Sequence, residues 1–218
     1  MTKIAIAQNK LAQSTQIEIG VGFVQPNFLK GTELIRSYNL RQNGLSYYAD
    51  NNGNRNAVGK YSSSTGYNFN IGFYKPIKKV NGLMLGALVR NAQTGSNPEK
   101  GGYSEAYFFN FITAGIAAKY YPFSKNNLFV KADFGLAAVL TKNRFLNATQ
   151  QQEIFHQFGI GTSFGFETGY AFQIFKDKSK AIEIKTGYQL ANTRVEVNVI
   201  GDDNWQFGAI YFGTSFNF

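Results

Sequence analysis

The stretch QFGIGTSFGFETGYAFQ, residues 157–173, decides the fold. Phe158, Ile160, Phe164, Phe166, Tyr170 and Phe172 share one parity, and Gly159, Gly161, Ser163, Gly165, Glu167 and Gly169 the other. A period of two belongs to an extended strand, whose successive side chains point to opposite sides. Large apolar groups on one face with glycine and charge on the other imply a face against hydrocarbon and a face against a narrow interior.

Seven further segments repeat the pattern. From about Thr15 to Phe28, Ile17, Ile19, Val21 and Phe23 oppose Glu18, Gly20 and Gly22. From about Gly66 to Lys75, Tyr67, Phe69, Ile71 and Phe73 oppose Asn68, Asn70 and Gly72, and from about Gly82 to Asn91, Leu83, Leu85, Ala87 and Val89 oppose Gly86 and Arg90. Between about Tyr107 and Tyr121, Ile112, Ala114, Ile116, Ala118 and Tyr120 oppose Thr113, Gly115, Ala117 and Lys119. Between about Leu128 and Thr141, Val130, Ala132, Phe134, Leu136 and Leu140 oppose Lys131, Asp133 and Gly135. Ile182, Ile184, Tyr188 and Leu190 oppose Glu183, Lys185, Gly187 and Gln189, and in the last segment, Trp205 to Phe218, Ile210, Phe212, Phe216 and Phe218 oppose Ala209, Gly213, Ser215 and Asn217.

Runs of about ten residues, at roughly 3.3 Å each and tilted by about 40°, span about 25 Å, the height of an outer-membrane apolar band. Ordinary globular strands are nearer five or six residues, by the usual range of about that length. The connectors alternate as well: short ones near Pro76–Asn81, Pro122–Asn127 and Lys176–Lys180, long ones near Leu29–Thr65, Ala92–Glu105, Lys142–His156 and, shorter, Gly201–Asn204. The pattern predicts an all-β, eight-stranded antiparallel transmembrane up-and-down barrel, with short periplasmic turns, longer extracellular loops and both termini in the periplasm.

Composition agrees. The chain has 218 residues, 23 Gly, 21 Phe and 13 Tyr but only 4 Pro, which suits one domain of strands. No run approaches the roughly 20 apolar residues of a membrane helix, which a barrel does not need. The absence of cysteine excludes disulfides and thiolate metal sites. A single histidine, His156, leaves little for imidazole catalysis, no metal-ligand spacing appears, and no cofactor is expected. Residues 1–14 read as a signal-peptide remnant and N-terminal periplasmic tail, from Ala5-Ile6-Ala7 before Gln8, with the barrel over 15–218. A cytoplasmic start is equally compatible with so short a segment.

With the apolar parity outward, the interior receives Glu18, Arg90, Lys119, Lys131, Asp133, Glu167, Glu183 and Lys185, mostly toward the short-turn ends. The turn pairing brings Glu167 near Lys185 and Lys119 beside Lys131 or Asp133. Four cations and four anions predict a neutral network that plugs the periplasmic half, because an unpaired interior charge costs several kcal/mol, of order the full desolvation penalty. Eight strands leave room only for side chains, so a plug is expected, not a pore. A lipocalin-type soluble barrel is the architectural rival, but it would expose the glycine face to water, where glycine covers nothing.

The net charge is +9. Lys75, Lys78, Lys79, Lys125, Lys176, Lys178 and Lys180 gather at the short turns with only Asp177 against them, a placement suited to outer-membrane lipid phosphates. No recognition helix or stacking platform accompanies them, so nucleic acid is not an expected partner. His156 shares the parity of Phe158 and Ile160 and is expected to face outward at the membrane border. Gly159–Gly165 has neither the spacing nor the strand-to-helix setting of a phosphate loop. In the first long loop, Thr32 caps an expected short helix from Glu33 to about Asn39, and Leu45–Tyr48 and Val58–Tyr61 flank a hairpin turn at Asp50–Gly53.

Lys119-Tyr120-Tyr121-Pro122-Phe123 entering a tight turn, the glycine-aromatic strands and the terminal Phe212-Gly213-Thr214-Ser215-Phe216-Asn217-Phe218 resemble the PorT-like and OmpX-like small outer-membrane barrels, over almost the whole chain from Thr15. The resemblance implies that Phe212, Phe216 and Phe218 form a signal read by the barrel-assembly machinery. It also implies a structural or accessory role beside other outer-membrane proteins, without enzymatic activity. An outer-membrane lipid-modifying enzyme with a rim site around His156 and a narrow solute channel stand as alternatives.

Overall fold

Alternation becomes architecture once each strand's inward row is small enough to let eight strands curl round a shared centre. The computed structural model of the protein describes residues 10–30, 45–49, 55–60, 65–96, 99–100, 103–123, 126–146, 152–177, 179–197 and 201–218. A 3₁₀ turn, Lys10–Gln13, precedes strands β1 (Gln16–Lys30), β2 (Leu45–Ala49), β3 (Arg55–Lys60), β4 (Gly66–Pro76), β5 (Leu83–Ser96), β6 (Glu99–Lys100), β7 (Tyr103–Tyr120), β8 (Leu128–Leu146), β9 (Gln152–Phe172), β10 (Ala181–Val197) and β11 (Gly201–Asn217). The eight long strands pair antiparallel in the order β5-β4-β1-β11-β10-β9-β8-β7, and β7 returns to β5. The sheet is closed, so it has no exposed edge along its main body.

First and last strands form the closing seam, from Glu18 opposite Asn217 to Phe28 opposite Phe207. At its lower end Ile17 N donates to Phe218 O at 2.9 Å and Phe218 N to Ile17 O at 3.1 Å, which pins the C-terminus to β1. Gly22 faces Gly213 across this seam, and a Cβ on Gly22 would lie 2.8 Å from the Gly213 Cα. Two glycines meet there because neither strand has room for a side chain. In the β4–β5 turn Gly82 has φ +81°, a conformation that L side chains rarely adopt, and its carbonyl accepts from Tyr121 N at 2.9 Å.

The apolar parity points outward in every long strand: Ile17, Phe23, Tyr67, Phe73, Ile116, Phe134, Phe164, Ile184 and Phe212 are among its exposed members. On β4 the alternation is unbroken from Gly66 to Lys75. A lipocalin-type arrangement requires the reverse, with phenylalanines inside and charges outside, and is therefore excluded.

Three connectors differ from the sequence expectation. The segments expected as loops at Ala92–Glu105, Lys142–His156 and Gly201–Asn204 are mostly strand: Arg144 pairs with Ile154, Leu146 with Gln152, and Val197 with Gly201. Apolar alternation marks only the part of a strand that meets an apolar solvent, whereas main-chain pairing continues through polar residues above it. The hairpin expected around Asp50–Gly53 is present as β2 paired with β3, while residues 50–54 themselves, the expected helix at Glu33–Asn39 and the segment 1–9 lie outside the described residues.

Candidate functional site

All eight charged residues singled out above are inside the barrel, none more than 7% exposed. Lys131 and Glu167 pair directly across β8 and β9, and most of the other ion pairs reach beyond adjacent strands. Lys119 and Lys131 stand directly opposite one another across β7 and β8, two like charges in one cross-strand position. Glu183 and Glu167 each supply a carboxylate to one of these lysines, and Glu18, from the far wall on β1, meets both. Its carboxylate accepts Lys185 Nζ at 2.5 Å, Lys131 Nζ at 3.0 Å and Lys119 Nζ at 3.5 Å, with Asn70 Nδ2 donating at 2.7 Å.

Glu167 is the second hub. It pairs with Lys131, with Arg90 Nη2 at 3.2 Å and with Lys185 Nζ at 3.8 Å. Arg90 also reaches Asp133 at 3.4 Å, and its guanidinium lies 4.8 Å from the Tyr211 ring centre. Glu183 binds Lys119 Nζ at 2.5 Å and accepts from Tyr121 Oη at 3.2 Å and Ser215 Oγ at 3.0 Å. Each cation meets at least one carboxylate, and the eight formal charges cancel. That cancellation matters because desolvating a lone charge in such a space costs several kcal/mol, on the order of the penalty for an unpaired buried ion.

Two apolar layers enclose the network, and sequence reasoning missed both. Below it, Leu11 and Ala12 of the 3₁₀ turn fold back under Tyr74, Met84, Tyr121 and Phe129, and Gln16 Nε2 fastens the turn to Leu11 O at 2.7 Å. Lys119 Nζ lies 4.8 Å from the Phe129 ring centre and 5.4 Å from that of Tyr74, so aromatic faces share its charge with Glu183. Above the network, Phe109, Phe111, Val139, Val195, Trp205, Phe207 and Tyr211 fill the lumen, with the Phe111 and Phe207 ring centres 4.5 Å apart. The signal was present in the phase. Phe111 shares the parity of Thr113 and Lys119, and Phe207 and Tyr211 that of Ala209 and Gly213.

Catalytic constellations are not evident among the described residues. No cluster of His, Asp and Glu suited to a metal occurs there, and His156 is exposed on the outer wall, opposite Lys142. At the turns, Lys75, Lys78, Lys79 and Lys176 are exposed, while Lys125 and Lys178 lie outside the described residues. Asp177 accepts from the Ser179 hydroxyl at 2.6 Å and its amide at 3.0 Å, which holds its carboxyl below the usual carboxylate range.

No protein-family profile and no curated protein matches the sequence. Among solved structures, the chain is similar to Ail, the attachment invasion locus protein of Yersinia pestis, solved in complex with the heparin analogue sucrose octasulfate: TM-score 0.54, 13% identity, 94% of this chain and 100% of that one. OprG of Pseudomonas aeruginosa (TM-score 0.42, 10% identity, 94% and 97% covered) and Neisserial surface protein A (TM-score 0.38, 9% identity, 92% and 95% covered) also match. The chain has the eight-stranded fold of small outer-membrane barrels.

Proposed function

We propose that the protein spans a bacterial outer membrane as a sealed, non-enzymatic barrel and serves as a structural or accessory subunit beside other outer-membrane proteins. The observation that carries this reading is the filled lumen: a neutral ion-pair layer between two apolar layers. A barrel packed in this way has no water-filled route for a solute, so its working surfaces are its wall and its ends. The exposed apolar belt supports the membrane placement, since belts of aromatic and branched side chains on such strands match hydrocarbon and not water.

The short turns belong in the periplasm on this reading, with both termini beside them and the turn lysines at the inner-leaflet phosphates. The accessory role draws on the PorT-like resemblance, whose turn motif contains Tyr121, buried against Glu183. Phe212, Phe216 and Phe218 face outward beside the closing seam, where assembly machinery has access to them. Purification from native membranes in mild detergent tests the role. A stable complex with other outer-membrane proteins is expected, and a solitary barrel recovered under every mild condition would contradict it.

A further inference from the structure

The outer wall carries a groove of about 780 Å³ at the upper border of the apolar belt, and nothing in the sealed-lumen account uses it. It arises because β4 begins at Gly66 while β5, β7, β8 and β9 continue upward, and because Gly95 leaves the wall bare opposite Phe108. Tyr67 and Leu140 line its lower part, in one cross-strand row with Gln93 and Asn110, and Phe108, opposite Lys142, stands in the row above; Tyr67, Phe108 and Leu140 are all well exposed. Lys142 and His156, a direct cross-strand pair on β8 and β9, close its upper part, and Arg144 follows at the next outward position. An exposed apolar surface formed by Tyr67, Leu140 and Phe108 thus stands directly beside a cationic and hydrogen-bond-donating pair, Lys142 and His156.

That juxtaposition is complementary to one kind of occupant. We infer that this groove seats an acyl chain of an outer-leaflet lipid whose phosphate headgroup is held by Lys142 and His156. A lysine ammonium supplies charge, and an imidazole ring N–H supplies a directed donor, which together suit a phosphate. The volume lies within the range of small-molecule sites, roughly 300–1,000 Å³, and mostly apolar walls with a few convergent polar groups are the usual makeup of such sites. The site is on the opposite rim from the turn lysines. The inference rests on the membrane placement proposed above.

The test uses the full chain in detergent micelles, titrated with lipid A and with the same lipid stripped of its phosphates, with bound lipid read by native mass spectrometry. The expected result is preferential retention of the phosphorylated lipid, reduced about tenfold in the Lys142→Ala/His156→Ala double variant. Lys78→Ala/Lys79→Ala, at the other rim, leaves retention unchanged. Phe108→Ser lowers retention of both lipids, as expected of a chain-binding wall. Equal retention of the two lipids, indifference to the Lys142/His156 double variant, or loss in the Lys78/Lys79 variant would each overturn the inference. Circular dichroism and heat-dependent gel mobility of the same samples separate the two proposals: a chain that does not fold in micelles contradicts the membrane placement, whereas a folded, micelle-bound barrel that ignores the phosphate contradicts the groove alone.

Discussion

Glu18 on β1 and Lys131 on β8 meet across the lumen at 3.0 Å, although 113 residues separate them in the chain. This contact makes the charge network a cross-brace, because it ties two strands that share no main-chain hydrogen bonds. Lys119 and Lys131, which face each other across one ladder, share that carboxylate, and each has a second one, Glu183 and Glu167 respectively.

Glu18→Gln removes the hub while keeping its shape. Three lysines then share too little negative charge, and the expected loss is about 3–5 kcal/mol, the cost of breaking a buried pair. Urea unfolding in detergent micelles measures it. Adding Lys185→Met to Glu18→Gln restores neutrality and is expected to recover part of the loss, giving a coupling between the two sites. Strictly additive effects would show that the two residues do not act together.

Planar-bilayer recording tests the seal. The wild-type barrel is expected to show no steady open state. Phe111→Ala alone leaves the ion-pair layer in place and also gives none, at a stability cost of about 3–5 kcal/mol for emptying an aromatic site. A steady porin-like conductance from the wild type would contradict the sealed lumen.

Gly213→Val probes the closing seam. Its Cβ would lie 2.9 Å from the Gly22 Cα, closer than packed carbons approach, so β1 and β11 cannot keep their register. A marked loss of the heat-modifiable folded band on unheated gels is expected. Full recovery of that band would mean the seam has slack.

The last residue allows biogenesis to be separated from stability. Phe218 stacks at 5.0 Å from Phe216 and is held by two main-chain bonds to Ile17, which a side-chain change leaves intact. Phe218→Ser is expected to lower the amount of barrel reaching the outer membrane in cells while the protein refolded in detergent unfolds within about 1 kcal/mol of wild type, the range usual for exposed positions. Equal cellular levels would remove the assembly-signal reading.

Much of this was legible before any coordinates. The parity of Phe158 to Phe172 shows which face is apolar, and the same parity puts Glu167 and Lys185 inside. Hairpin geometry also brings Lys119 beside Lys131 or Asp133, and the register settles on Lys131. What period two does not contain is distance across the barrel: that Glu18 on β1 reaches three lysines of other strands, beside the Lys131–Glu167 hairpin pair, depends on strand tilt and lumen width. The inward aromatics Phe111, Phe207 and Tyr211 were hidden for a different reason. Hydrophobicity alone does not separate a side chain that faces lipid from one packed inside the barrel. The strand extensions past Lys142 and Trp205 were missed because polar residues above the belt carry no alternation to read.

The central claim is that one face of the ribbon meets hydrocarbon. The chain contains no cysteine, so single spin labels can be placed without background, one at a time from Phe158 to Phe166 in lipid vesicles. The account predicts oxygen accessibility that alternates with a period of two, high at Phe158, Ile160, Phe164 and Phe166 and low at Gly159, Gly161, Ser163 and Gly165. Accessibility that does not alternate, or that places the glycine positions in lipid, would contradict it.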